Sequence, residues 1–365
     1  MTAPLLRTPL YDTHVAMGAR MVEFAGWEMP VQFTGIVEEH NHTRAACSAF
    51  DVSHMGRLRI MGGDAEPFLN RVCTRNLAGA EPGRSFYSHI CREDGGILDD
   101  VIVSRFADRW GMVCNASNRA KIIAWLHKHA TGKNVTIVDE TTATAMIACQ
   151  GPRTLDLARE MTGDDLGTLK RYRFIVRDFG PLQIVIYRSG YTGEDGLEVV
   201  LPAVLVATLV PRLLGTKEKP HPVIKPAGLG ARDTLRMEAA MPLYGHELSE
   251  DVDSLTAGQG WCVDLTKDFI GADAMRRLKE RGSPRKLVGL ELDGRRIARQ
   301  HYGVYRGGAA VGEVTSGTLS PTLGKSIAMA FVSGDSQESA SLEVEISGKR
   351  VPARVVELPF YKRPR

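Results

Sequence analysis

The chain contains no run of about 18 consecutive apolar residues, which removes a helical membrane span. Charge of one sign is equally scarce: 46 Lys and Arg against 43 Asp and Glu leave a formal net charge of only +3. No block of basic residues is interleaved with aromatics, so the electrostatic footprint of a nucleic-acid binder is missing. The six cysteines (Cys47, Cys73, Cys91, Cys114, Cys149, Cys262) lie far apart with no C-x-x-C pair. They read as reduced core residues, against a disulfide framework or a zinc site. The pairs His40/His42 and His127/His129 fall off a single helical face, and no cluster of acids and cysteines completes a ligand set, so no metal is expected. Neither a G-x-S-x-G elbow nor a G-x-x-x-x-G-K-[ST] loop occurs, which removes the commonest hydrolase and phosphate-loop readings. The opening MTAPLLRTPLYDTH carries no apolar core ahead of a small-residue cleavage site, and the expected compartment is the cytoplasm.

What is present is an ordinary globular composition, 43% hydrophobic and 24% charged, in 365 residues. That length predicts two or three domains with clefts between them. A short helix after Pro9, the extended MVEFAGWEMPVQF and a helix from about Thr34 lead into the compact word FDVSHMG. From Arg57 to about Val138 short strands (RLRIM, SFYSHI, ILDDVIV, WGMVCN) alternate with helices, one opened by Asp64 and one around Ile122 and Leu126. A second such stretch runs from Thr144 to about Gly245, with the strands TAMIAC, LQIVIYRS and LEVVLP and helices near Leu205 to Leu214 and over ARDTLRMEAA. The polar residues from Glu247 to Gly260 read as a connector. After Arg285 short alternating runs split by Gly, Asp and Ser have the style of a small antiparallel barrel, with a domain boundary near Gly282. The fold class is α+β.

Three groups of charged residues stand out. In GGILDDVIV, neighbouring side chains of a strand face opposite sides, so Asp99 and Asp100 cannot both escape a core bounded by Ile97, Leu98, Val101, Ile102 and Val103. A buried carboxylate needs donors or a ligand. It either takes the backbone amides of the turn Glu93–Gly96 or is aimed at a protonatable nitrogen, and the strand pattern does not choose the acid. In GYTGEDGLE the glycines permit a tight hairpin connection, with Glu194 and Asp195 as solvated turn acids. Glu198 comes after the turn among apolar neighbours, where a carboxylate lining a pocket accepts two parallel hydrogen bonds from an amidine-like edge such as that of a pterin. Arg232 and Arg236 lie one helical turn apart. GLGARD lacks the third glycine and preceding strand of a dinucleotide fingerprint, so Arg232 either pairs with Asp233 or Glu238 or supports an anionic or aromatic ligand.

The words TPLYDTH, FAGWEMPVQF, FDVSHMG, GGILDDVIV, GYTGEDGLE, GLGARDTLR, LYGHEL, KDFIG, RIAR and TSGTLSPTLGKSIAMA, in this order from Thr8 onward, resemble the T-protein family of the glycine cleavage system. The resemblance implies a three-domain cloverleaf, two mixed α/β units around a folate channel and a C-terminal antiparallel β-barrel. It divides the chain into 1–52 with 141–245, 53–140 with 246–282, and 283–365. The activity it implies is transfer of the methylene from the aminomethyl-lipoyl arm of lipoylated H-protein to tetrahydrofolate as co-substrate, releasing ammonia. No nucleic acid, membrane or metal enters that expectation. Asp100 matches the family's catalytic aspartate, Glu198 the pterin-edge acceptor, and Tyr191 and Arg232 folate-positioning residues. Met55, Tyr87 and Asn115 match the channel lining. The tail PFYKR brings Arg363 or Arg365 to a cofactor-side contact. The chain departs from the family at Thr256 and Gln259, where relatives commonly carry an acid and an apolar residue ahead of the tryptophan.

Two rivals share the fold. One is a folate-dependent demethylase acting on sarcosine, dimethylglycine or a sulfonium compound, separated by whether H-protein or a small methyl donor is consumed. The other is a non-catalytic folate-binding iron–sulfur assembly factor, whose K-G-C-Y-x-G-Q-E-like word is replaced here by GYTGEDG.

Overall fold

A computed structural model describes residues 4–333 and 342–364, so Arg365 of the tail lies outside the described residues. The chain forms two units, 1–66 with 79–86 and 102–233, and 67–78 with 87–101 and 234–365.

In the first unit the stretch MVEFAGWEMPVQF becomes a hairpin, Arg20–Phe24 against Trp27–Gln32, with Leu6–Arg7 added in parallel. Its two turn residues, Ala25 and Gly26, both have positive φ (52° and 81°), the backbone a two-residue hairpin turn demands. A six-stranded sheet follows in the order Phe174–Phe179, Leu182–Tyr187, Gly196–Pro202, Thr144–Gln150, Cys47–Asp51, Ile224–Ala227. All its neighbours are antiparallel except the last pair. The helix Val206–Leu214 repeats its apolar residues at Val206, Val210 and Leu214, and all three are buried against Ala145, Ile147 and Leu201 of the sheet. The words TPLYDTH and FDVSHMG meet here: Thr8 Oγ1 donates to Asp51 at 2.6 Å, and His14 Nε2 lies 2.8 Å from the same carboxylate. Burial raises the Asp51 carboxyl, but its bonds to His14, Ser53 and Thr8 outweigh that and hold it down to about 2.

A five-stranded sheet runs Arg84–Cys91, Ile97–Arg105, Trp110–Cys114, Gly56–Met61, Thr136–Asp139. In the second unit the helix Ala272–Arg281 buries Ala272, Met275 and Leu278, and its first two rest in one core with Cys91, Ile97, Leu248 and Phe269. Gly282, at φ 79°, ends it where a side chain would be strained. The barrel expected after Arg285 is closed and six-stranded, from Arg285–Leu292 to Lys349–Val356, around Leu290, Val304, Val314, Ala330 and Val344. The α+β class is therefore as expected.

The expected polar connector differs. Glu247, Leu248 and Ser254 are fully buried. Glu247 accepts from Arg236 Nη1 at 2.9 Å, the Leu243 amide at 3.0 Å and Thr315 Oγ1 at 2.5 Å. A loop can run inside a protein when its polar groups find partners of this kind, here one guanidinium, one amide and one hydroxyl.

Candidate active site

The strand Ile97–Arg105 resolves the choice between the two acids by its pleat. Ile97, Asp99, Val101 and Val103 share the fully buried face, and Asp99 has 0% exposure; Asp100 and Ile102 lie half-buried on the other. The preceding turn draws on another acid, because Asp94 Oδ1 accepts the Gly96 amide at 3.0 Å. Asp100 Oδ2 instead accepts from the Tyr87 hydroxyl at 3.2 Å. The indole of Trp261 stacks on the Tyr87 ring, centroids 5.2 Å apart and planes 19° from parallel. Trp261 keeps 55% of its surface exposed, yet its Nε1 donates to Gln259 Oε1 at 2.9 Å and its carbonyl accepts from Arg75 Nη1. Gln259, read in the sequence as one of two departures from the family pattern, thus holds the ring that covers Tyr87. The other, Thr256, bonds Asp253 and Ser283.

His89 also touches this group and was passed over in the sequence. Its Nε2 lies 3.3 Å from the Tyr87 hydroxyl and its Nδ1 2.7 Å from Ser254 Oγ. Burial pushes this imidazole down to about 3. Its signal was a histidine two residues from Tyr87 on the same strand, hence on the same face; its partner Ser254 is too distant in the chain to be foreseen.

In the first unit Glu198 lies half-buried in Gly196–Pro202, opposite Tyr187 and Ala148 in the ladder. Ser189 Oγ donates to its Oε2 at 2.5 Å. The Arg232 guanidinium sits 4.7 Å above the Tyr191 ring, and its Nη1 is buried with no hydrogen-bond partner among the described residues. Burial lowers the Arg232 pKa, while Glu198 and Tyr191 oppose the shift. Of the two readings left open for Arg232, the structure has a ring contact in place of the pairing with Asp233 or Glu238, whereas Arg236 is buried in its ion pair with Glu247. Glu238 is engaged with Ser320 and Thr322.

The loop between Tyr187 and Gly196 is no tight hairpin, and its acids are not solvated. Glu194 is buried and pairs with Arg44 at 2.9 Å. Asp195 takes two bonds from Arg188, at 3.2 and 2.7 Å. Gln150 reaches Ser189 O and Thr192 Oγ1, and a Cβ added at Gly190 or Gly196 would stand 1.9 or 2.2 Å from its side chain. Both glycines are required by that close approach. The loop is thus clamped at several points, which fixes Ser189, Tyr191 and Glu198.

Met55 and Asn115 follow directly from the Gly56↔Cys114 register, which puts them side by side at one end of their strand pair; both are half-buried. Arg363 is half-buried in a tail pinned by the Tyr361 amide on Glu238 O at 2.8 Å. All six cysteines are buried and in the thiol form, outside any disulfide, and among the described residues no group of three or more His, Cys, Asp or Glu is placed to hold a metal ion. Among them, too, no helix is long and apolar enough to cross a membrane.

The model of the GCVT N-terminal domain matches residues 10–267, and that of the glycine cleavage T-protein C-terminal barrel domain matches 285–362. An aminomethyltransferase of Rubrobacter xylanophilus is 46% identical over 363 residues, covering 99% of this chain and 95% of its own. Another, of Moorella thermoacetica, is 44% identical over 366 residues and covers the whole of both. The crystal structure of glycine cleavage system aminomethyltransferase T from Bartonella henselae superposes with a TM-score of 0.91 at 33% identity, covering 98% of this chain and 99% of that one. The chain belongs to the glycine cleavage T-protein family of aminomethyltransferases.

Proposed function

We propose that this aminomethyltransferase takes its one-carbon unit from the lipoyl arm of H-protein and delivers it to tetrahydrofolate. Family membership supports folate use, and the observation that carries the chemical role is the half-buried Asp100 carboxylate fixed by the Tyr87 hydroxyl. In the reaction the C–N bond to the leaving amine and the C–S bond to the lipoyl sulfur break. Two C–N bonds to folate form. The two N–H protons that folate gives up end on the dihydrolipoyl thiol and the departing ammonium. A positioned carboxylate meets the need for proton transfer and for stabilising positive charge on the methylene, and such a group contributes roughly 10²- to 10⁴-fold.

Glu198 is the acceptor for the 2-amino edge of the pterin, with Ser189 steadying one of its oxygens. Arg232 and Tyr191 position the folate, the buried Nη1 of Arg232 offering a donor that a ligand oxygen would satisfy. Met55, Tyr87 and Asn115 line the folate site, and Arg363 supplies a contact from the tail. The site of action is the cytoplasm. The test is a glycine-cleavage assay reconstituted from the other components, with and without this protein and tetrahydrofolate. Methylenetetrahydrofolate and ammonia should appear only when both are present. Formation of the same products from sarcosine or dimethylglycine without H-protein would replace this reading by the demethylase one.

A further inference from the structure

His89 is buried beside the acid and takes no part in the roles above, yet its bonds define a direction. The Tyr87 hydroxyl donates its one proton to Asp100, so toward His89 it can only accept. His89 Nε2, 3.3 Å away, must therefore carry the ring proton. A neutral imidazole has a single N–H, which leaves Nδ1 an acceptor, and Ser254 Oγ at 2.7 Å must donate to it. The ring is neutral at pH 7, since burial holds its pKa near 3. Every proton in the chain Ser254, His89, Tyr87, Asp100 thus points toward the carboxylate. All four groups lie in one unit, on two neighbouring strands and the buried stretch after Glu247.

We propose that His89 and Ser254 are positioning residues for the transfer reaction, locking the Tyr87 hydroxyl in the orientation that donates to Asp100 and so keeping that carboxylate an ionised acceptor for substrate N–H. The inference rests on the role proposed for Asp100. Without the Nε2–H, the Tyr87 hydroxyl loses a donor that orients it, and the carboxylate is left with a less firmly held donor for its charged form. His89 makes no bond to Asp100 itself, and the Tyr87 ring that lines the folate site stays stacked on Trp261 without it, so folate affinity should be little affected.

The test uses His89→Leu, His89→Gln and Ser254→Ala in the full chain, with turnover measured in the reconstituted assay and tetrahydrofolate affinity by calorimetry. His89→Leu should lower kcat about tenfold, the scale of one buried hydrogen bond, with the folate Kd unchanged within about twofold. Gln, whose amide nitrogen can stand where Nε2 does, should restore most of the rate. Should His89→Leu fail to fold, Ser254→Ala at the far end of the chain decides by the same criteria, with an expected loss of about threefold. In an Asp100→Asn background His89→Leu should cost nothing more. A kcat within twofold of wild type for the variant that folds, no rescue by Gln, an equal fall in folate affinity, or an undiminished effect in the Asp100→Asn background would each overturn the proposal. Near wild-type turnover of Asp100→Asn alone would instead defeat the role of Asp100.

Discussion

The Tyr87 hydroxyl donates to Asp100 Oδ2 across 3.2 Å, and the two residues stand on adjacent strands of one sheet. Their side chains leave the sheet on the half-buried face, while Asp99 lies sealed on the other. Asp100→Asn keeps an oxygen that can accept from Tyr87 but cannot take a proton. Transfer should fall by about 10²-fold or more, with folding and tetrahydrofolate binding retained. Single-turnover formation of methylenetetrahydrofolate is the measurement, and a rate within a few-fold of wild type is incompatible with the assignment.

Glu198→Ala removes an acceptor and leaves the Ser189 hydroxyl without its partner. The expected result is weaker folate binding, by about tenfold or more for a pair of charge-assisted bonds, with the rate at saturating folate far less affected. Calorimetry on the variant checks this, and an unchanged dissociation constant contradicts the pterin role.

Arg236→Leu should destabilise the fold by about 3–5 kcal/mol, because it strands Glu247 in the interior without its cation. Replacing Glu247 by Leu as well should return a large part of that loss. Denaturant titrations of the two variants and the wild type give both numbers. Equal stability of the single and double variants would show that the ion pair is not what holds this region.

Acidification should destabilise the protein well above the carboxylate range. Burial, assisted by the positive charges of Arg232 and Arg57, pushes the His54 imidazole down to about 4 against the pull of Asp51, and burial takes His89 to about 3. An unfolded histidine titrates near 6.5. Between that pH and the folded value the unfolded chain binds protons that the native one refuses, so stability rises with pH there and is lost on going down. The loss from His54 alone is on the order of 3 kcal/mol by pH 4. Thermal melts from pH 7 to 4 test it, and His54→Asn should flatten the slope.

How much of this was legible in the sequence depended on distance along the chain. The barrel could be read because its alternation is local, and the pleat of GGILDDVIV showed that one acid must be interior. It could not show which, since either face satisfies the pattern until the neighbouring sheet and core are known. Glu194 and Asp195 looked like solvated turn acids because glycines surround them; the arginine that buries Glu194 lies 150 residues earlier. Glu247 and Ser254 looked like connector for the same reason, their partners being Arg236, Thr315 and His89. Apolar periodicity announces burial through repetition, whereas a single buried polar contact leaves no local trace.

Trp261 carries a practical consequence. Of the four indoles Trp27 and Trp110 are sealed in the core and Trp125 is half-buried, so Trp261 is the most exposed to water, and it is so while lying on the phenol that bonds Asp100. The enzyme therefore has an intrinsic fluorophore beside the reaction centre proposed for it, with the Gln259 amide as its tether. Its emission should report, without any added label, each change in the surroundings of Tyr87 during turnover.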